Sequence, residues 1–211
     1  MKNTLKISFI LFLILLINGC KKVEKTEDEP IKKEKAIVQR EFGDWKTENQ
    51  SLGVELHTKK FNNWNDLVER ASKIVCNDSI PKITLKTDDE IRTIYFHNPC
   101  WEQDSYKIIK SKNVYEIHND TIFKNKENFF PLDSLEKILK KDIENNGVNP
   151  MFSENSKKLI VSISYDKNNE FERLLNHLDK LTDKYYGITN KTDIKIWLTN
   201  KEYLKPPPPA K

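Results

Sequence analysis

The sequence predicts an α+β (mixed α/β) fold, in which helices pack on a face of a sheet. Three segments place apolar residues at the spacing of amphipathic helices, and short segments rich in β-branched and aromatic residues alternate with them. In the C-terminal half the order is hairpin, helix, strand, helix, strand. Helices that lie between strands of one sheet have to cross a face of that sheet, so this order favours the α+β class.

The first 20 residues have the pattern of an export signal. Lys2 and Lys6 precede an apolar run over residues 7–17, which at about 1.5 Å per residue is far shorter than the roughly 30 Å hydrocarbon core of a bilayer. We therefore expect residues 1–19 to be a cleaved signal peptide. The sequence Ile17-Asn18-Gly19-Cys20 resembles the lipobox of bacterial lipoproteins, which implies fatty-acyl chains such as palmitate at Cys20. An ordinary secretory signal and an uncleaved anchor stay open as alternatives.

The composition of the rest of the chain distinguishes a tether, a globular region and a tail. The segment after Cys20 is charged, poor in large apolar side chains and interrupted by Pro30, which is typical of a disordered tether. The predicted organisation is a lipidated tether at residues 20–35, a globular region at 36–204 that forms one unit or two subdomains (36–105 and 106–204), and a Pro-rich tail at 205–211.

The charge of the mature chain is nearly balanced. Lys2 and Lys6 leave with the leader, so 34 of the 36 Lys and Arg residues face 32 acidic residues, a net charge of about +2. Nucleic-acid-binding domains usually carry a strong basic excess. The composition therefore predicts no nucleic-acid partner, and roughly 190 mature residues are enough to bury one sizeable core.

The first half of the globular region predicts a helix followed by a hairpin. Apolar residues recur at helical spacing from Trp64 to Val75, Asn63 is a suitable N-cap, and Pro81 prevents the helix from continuing. Residues 82–86 and 91–96 then have the composition of paired strands.

The second half predicts more strands and two further helices. In order, they are strands at 106–110, 113–118 and 121–124, a helix along the apolar residues from Leu135 to Ile143, a strand at 159–165, a helix from Phe171 to Tyr185, and a strand at 193–198. Asn119-Asp120 suits a tight turn, Asp133 and Glu136 suit a helix start, and Gly147 and Gly187 are expected just beyond the two helix ends.

Residues 114–200 resemble the periplasmic domain of the ExbD/TolR family. The matching segments are Tyr115–Ile122, Leu132–Glu136, Leu159–Ile163, Glu170–Asp179 and Ile194–Thr199. The resemblance implies one sheet backed by two helices, and contacts with other envelope proteins or with the cell wall. The family also has a membrane helix with a buried aspartate, whereas residues 7–17 contain no acid, so ion-driven coupling is not implied for this chain.

Cys76 and Cys100 are the only cysteines besides Cys20. Two cysteines outside the cytoplasm usually pair, so we expect a structural disulfide between them. Metal binding and redox chemistry are the alternatives, but the sequence has no Cys-x-x-Cys motif and two lone thiols supply only half of a zinc site.

The sequence lacks recognisable catalytic and cofactor motifs. It has no Gly-x-Ser-x-Gly, no Gly-rich phosphate loop and no His-Glu-x-x-His, and the residues His57, His97, His118 and His177 are never three or four positions apart. We therefore predict no catalytic residues, no metal and no cofactor. His177 is expected on the solvated side of its helix, and Asp166, Asn168 and Glu170 are expected to be turn and cap residues rather than calcium ligands.

His97 and Trp101, which flank Asn98-Pro99-Cys100, are the candidate binding residues. A disulfide would hold Trp101 as an exposed aromatic anchor, although a Trp buried against the disulfide is the simpler alternative. The sequence thus predicts a lipoprotein of the cell envelope, anchored by lipid to a bacterial membrane, with the outer membrane expected and its periplasmic or surface face open. The expected role is a binding or structural module for another envelope protein or peptidoglycan. An enzyme with dispersed catalytic residues, or a lipoprotein that binds a toxin or small ligand, is the alternative.

Overall fold

Nine strands in two sheets and three α-helices make up the described part of the chain. The computed structural model describes residues 37–43, 52–87, 89–100, 109–125, 128–166 and 171–200, all of which belong to one unit spanning Ala36–Lys211. This combination of mixed sheets and helices confirms the predicted α+β class. The leader, Cys20, the tether, Trp101, Asn168, Glu170 and the Pro-rich tail lie outside the described residues, as does most of the strand predicted at 106–110.

The first sheet has four strands in the order β1-β4-β3-β2. They are β1 Val38–Phe42, β2 Gly53–Glu55, β3 Ile80–Lys86 and β4 Glu90–Tyr95, with helix α1 Trp64–Cys76 between β2 and β3. The antiparallel pair β3 and β4 is the predicted hairpin. The two outer strands, β1 and β2, run parallel to their neighbours and were not predicted.

The second sheet has five strands in the order β7-β6-β5-β8-β9. They are β5 Val114–His118, β6 Thr121–Lys124, β7 Asn128–Pro131, β8 Ile160–Ser164 and β9 Lys195–Leu198, with helices α2 Leu135–Glu144 and α3 Phe171–Thr189. Strands β5, β8 and β9 are parallel, whereas β5, β6 and β7 form an antiparallel meander. The predicted order of hairpin, helix, strand, helix and strand is present, and β7 is an additional strand.

The helix ends follow the sequence signals in part. Asn63 Oδ1 accepts a 3.1 Å hydrogen bond from the Asp66 backbone, as expected of an N-cap. The prediction that Gly187 lies beyond the end of α3 is wrong, because the helix continues to Thr189. Gly187 has open space around its Cα, and Ile188 packs against the core one residue later. Burial of that side chain compensates the low helix propensity of glycine.

Residues of both sheets contribute to one hydrophobic core. Immediately after β4 the chain touches the second sheet, where Phe96 forms an isolated parallel bridge with Ile196. From α1, the Trp64 indole donates a 2.9 Å hydrogen bond to the Thr199 carbonyl, and its ring packs edge-on against Tyr165. These contacts join the region before residue 105 to the region after residue 106.

Candidate functional site

The segment carrying the predicted binding residue His97 lies along the outer edge of β9. Cys76, the last residue of α1, and Cys100 form a disulfide with their Cα atoms 5.0 Å apart. The His97 backbone donates a 2.8 Å hydrogen bond to the Ile196 carbonyl. The His97 side chain is half-buried, and Trp101 lies outside the described residues.

Asn98 extends this contact with its side chain. Its amide nitrogen donates to the Leu198 carbonyl at 2.5 Å, and its amide oxygen accepts from the Leu198 backbone at 3.0 Å. An asparagine amide carries the same donor and acceptor as a peptide group, so Asn98 imitates one residue of a neighbouring strand. The described part of this segment therefore closes the β9 edge.

His177 is buried, with 3 % of its surface exposed, so the prediction that it is solvated is wrong. Its Nδ1 lies 2.6 Å from the Tyr165 hydroxyl, and its Nε2 lies 3.1 Å from Asp120 Oδ1. Both partners come from distant strand ends, which explains why the sequence alone did not reveal the contact. The helical spacing did hold a signal, because His177 lies three residues after the buried Leu174 and four before the buried Leu181.

His118 forms a second polar cluster at the neighbouring strand end. Its Nδ1 is 2.9 Å from Ser164 Oγ, and its Nε2 is 3.5 Å from Asp166 Oδ1. The Asn119 amide donates a 2.9 Å hydrogen bond to Asp166. The combination of serine, histidine and aspartate resembles the residue types of a nucleophilic triad. However, Ser164 is only 1 % exposed, so its hydroxyl has no path to a substrate in this structure.

The electrostatics of these groups follow from burial. Burial lowers the pKa of His177, and the nearby Asp120 carboxylate opposes that shift. Burial also raises the pKa of Tyr165, so its hydroxyl stays protonated. The part of the chain that the structure describes holds no group of three or more His, Cys, Asp or Glu side chains arranged to bind a metal ion.

An aromatic row crosses the opposite face of the five-stranded sheet. Tyr115 and Tyr165 point to the face that contacts α2 and α3, because the Tyr115 hydroxyl donates to the Leu135 carbonyl and Tyr165 contacts His177. Residues directly paired across strands share a face. The pairings place five residues in one line on the other face, which we call the aromatic row: Trp197, Ser162, Glu116, Phe123 and Phe129.

Phe129 is the most exposed member of the aromatic row. It is 70 % exposed on β7, and its ring centroid lies 6.4 Å from that of Phe123. Within the described residues β7 pairs only with β6, so its other side is an edge of the sheet. No side-chain hydrogen bond or ion pair involves the Glu116 carboxylate in that same part of the chain, although Glu116 lies between Phe123 and Ser162. The row thus contains one exposed phenylalanine, the half-buried side chains of Phe123, Glu116 and Trp197, and the buried Ser162, an alignment that the sequence could not reveal without the strand register.

A cleft of about 430 Å³ lies near the C-terminal ends of α2 and α3. The cleft is lined by both lysines and carboxylates, and some of its side chains already form hydrogen bonds within the protein. The Tyr185 hydroxyl donates to Asp193 at 2.6 Å, and the Lys195 ammonium donates to the Lys157 carbonyl at 3.0 Å. The cleft therefore does not select a ligand of one charge.

Comparisons with protein-family models, curated proteins and solved structures find no match. None of the helices in the described ranges is both long and apolar enough to cross a membrane.

Proposed function

We propose that this protein is a lipid-anchored lipoprotein of the bacterial cell envelope whose folded region binds another envelope protein through the aromatic row. The anchor part of the proposal rests on the lipobox resemblance at Cys20. Two or more acyl chains would give stable membrane attachment, and a disordered chain of the length of residues 21–35 would span on the order of 20 Å. The folded region would therefore stand clear of the lipid headgroups.

The observation that carries the binding proposal is the 70 % exposure of Phe129 at the end of the row. Single exposed apolar residues are common on protein surfaces, but here Phe129 is adjacent to Phe123 and in line with Trp197. Aromatic side chains are enriched at the centres of protein interfaces, where they bury a large area with few rotatable bonds.

Glu116 specifies the chemistry of the partner. Its carboxylate lies in the middle of the row, between Phe123 and Ser162. A partner that covers the row has to neutralise this carboxylate, because a buried unpaired charge is costly. We therefore expect a protein surface with apolar side chains around a lysine or arginine.

Photocrosslinking in intact cells tests this proposal. A photoreactive amino acid replaces Phe129 in one variant and Val148, an 87 % exposed apolar residue away from the row, in the matched control. We expect Phe129 to capture a recurrent protein that Val148 does not capture, and Glu116→Lys to reduce that capture. The same products from both positions, capture of peptidoglycan instead of protein, or no effect of Glu116→Lys would each contradict the proposal.

A further inference from the structure

Two strand-end segments, residues 118–120 and 164–166, are held together by both buried histidines. His118 binds Ser164, and His177 connects Tyr165 to Asp120. We call this set of contacts the histidine junction. None of these contacts involves a side chain of the aromatic row.

The hydrogen bonds of the histidine junction define the proton positions on His177. A carboxylate only accepts, so the His177 Nε2 next to Asp120 carries the proton. Nδ1 then accepts from the Tyr165 hydroxyl at 2.6 Å. A second proton, on Nδ1, would place two donors against each other and force the buried Tyr165 hydroxyl to turn away. Nδ1 would then donate to the Tyr165 oxygen, and the buried Tyr165 hydroxyl proton would lose its acceptor, so the closed junction favours the neutral ring.

The charged groups around His177 have opposite effects on its protonation. Asp120, from the turn between β5 and β6, favours the protonated ring, while Arg173 and Lys180 on α3 disfavour it. Arg173 also lies 3.8 Å from Asp120 Oδ2 and so weakens the attraction of that carboxylate. Just after β8, Tyr165 contributes a neutral hydroxyl, and from α1 the uncharged Trp64 ring packs against Tyr165. Burial is the largest effect and keeps the ring neutral.

The histidine junction is connected directly to the strand that carries Phe129. The Asp120 carbonyl accepts a 2.9 Å hydrogen bond from the Leu132 backbone, immediately after β7. The next residue, Thr121, pairs with Pro131 at the end of β7. A shift of the turn at Asn119-Asp120 therefore moves the C-terminal end of β7.

We infer that the histidine junction is a proton-sensitive support for the aromatic row. Uptake of a proton by His177 places a charge in this buried site and removes the acceptor of the Tyr165 hydroxyl, so acid opens the contacts between residues 118–120 and 164–166, loosens β7 and weakens binding at Phe129. The link to binding rests on the proposed function, whereas the loosening itself does not. The direction follows from linkage: the open state binds the proton more readily than the closed state, so acid favours opening.

Hydrogen exchange measured by mass spectrometry on the full mature chain tests the loosening without any partner. Peptides containing β6 and β7 are compared at about pH 7.5 and pH 5.5 after correction for intrinsic exchange rates, with β3 as the internal reference. One proton changes an opening equilibrium by at most about tenfold per pH unit. We expect protection of β6 and β7 to fall several-fold at the lower pH while β3 stays within twofold. An equal change in both regions, or none, overturns the inference.

Two variants test whether the acid-induced loss of protection arises at the histidine junction. In His177→Gln the acid-induced loss of protection should disappear, because the amide does not titrate. In Asp120→Asn, which changes a largely exposed side chain, the loss should begin at the same pH but become larger and level off at a lower pH, because the closed state loses a charge that favours its protonated ring while the ring of the open state is solvated in both proteins. An unchanged response in Asp120→Asn overturns the inference even if His177→Gln fails to fold.

A final comparison separates this inference from the proposed function. Photocrosslinking from position 129 should decrease at acid pH in the wild type and not in His177→Gln. If exchange responds to pH but position 129 captures no protein at any pH, the proposed function fails and the histidine junction stands. If capture occurs but exchange does not respond, the junction inference fails alone.

Discussion

The buried pair Lys124 and Asp142 allows a quantitative prediction about stability. Both side chains are 0 % exposed, and the Lys124 ammonium lies 2.9 Å from each oxygen of Asp142. It also donates 3.0 Å hydrogen bonds to the carbonyls of Lys112 and Val114, while the Ser153 backbone donates to Asp142 at 2.7 Å. The pair thus connects β6, α2 and two loops in the second half of the fold.

Lys124→Met keeps the volume of the side chain and removes its charge. The Asp142 carboxylate then stays buried without its cation, which costs about 3–5 kcal/mol of unfolding free energy. Asp142→Leu should cost a similar amount. In Lys124→Met/Asp142→Leu no buried charge remains, so we expect the loss to be smaller than the sum of the single losses by about 3 kcal/mol or more.

Equilibrium unfolding in urea at several pH values measures these quantities. Burial already raises the pKa of Asp142 in the wild type, and loss of Lys124 removes the main opposing influence. The folded state of Lys124→Met then favours a protonated Asp142, so the contribution of Asp142 to stability, measured relative to the wild type, is greatest at low pH and is lost as pH rises through the raised pKa. Single losses below about 1 kcal/mol, additive effects in the double variant, or no such pH dependence would refute this reasoning.

Three further predictions concern the rest of the chain. Asn98→Ala leaves two backbone groups of β9 without partners and should lower the unfolding free energy by about 2–4 kcal/mol, whereas Asn176→Ala on an exposed helix position should change it by less than about 0.5 kcal/mol in the same urea titration. Non-reducing mass spectrometry of the mature protein should show Cys76 linked to Cys100, and loss of this link should cost about 3–4 kcal/mol; two freely alkylated thiols would argue against it. Cys20→Ala should abolish acyl labelling and release the protein from membranes on cell fractionation, so a variant that stays membrane-bound would show that something other than lipid holds it.

Local patterns in the sequence were sufficient to predict most of the helices and strands. The helical spacing after Asn63, the hairpin of β3 and β4, and strands β8 and β9 all correspond to elements in the structure. The sequence also predicted that β8 and β9 share a sheet, and they are parallel neighbours. The ExbD/TolR resemblance itself stays a prediction.

The missed strands are short and lie at sheet edges. β1 pairs in parallel with β4 about fifty residues later, and its sequence Val-Gln-Arg-Glu-Phe has no strong alternation. β7 has four residues and ends in Pro131, as edge strands often do. Whether such a short segment forms a strand depends on the strand it pairs with rather than on the β-propensity of its own residues.

The candidate site was harder to predict for the same reason. His177 is buried because Tyr165 and Asp120 reach it from other segments, and a single helix pattern does not contain that information. The aromatic row likewise depends on strand register, which aligns Phe129 with Trp197 across the sheet.

We propose that the aromatic row holds this protein in a complex with another envelope protein. The most direct measurement is the size of the epitope-tagged, full-length protein in gently solubilised membranes, compared for wild type, Phe129→Ser and Val148→Ser. Both substitutions remove an exposed apolar side chain, but only one is in the row. The account predicts that wild type and Val148→Ser migrate as a larger complex while Phe129→Ser migrates as the free lipoprotein. A single size shared by all three would contradict it.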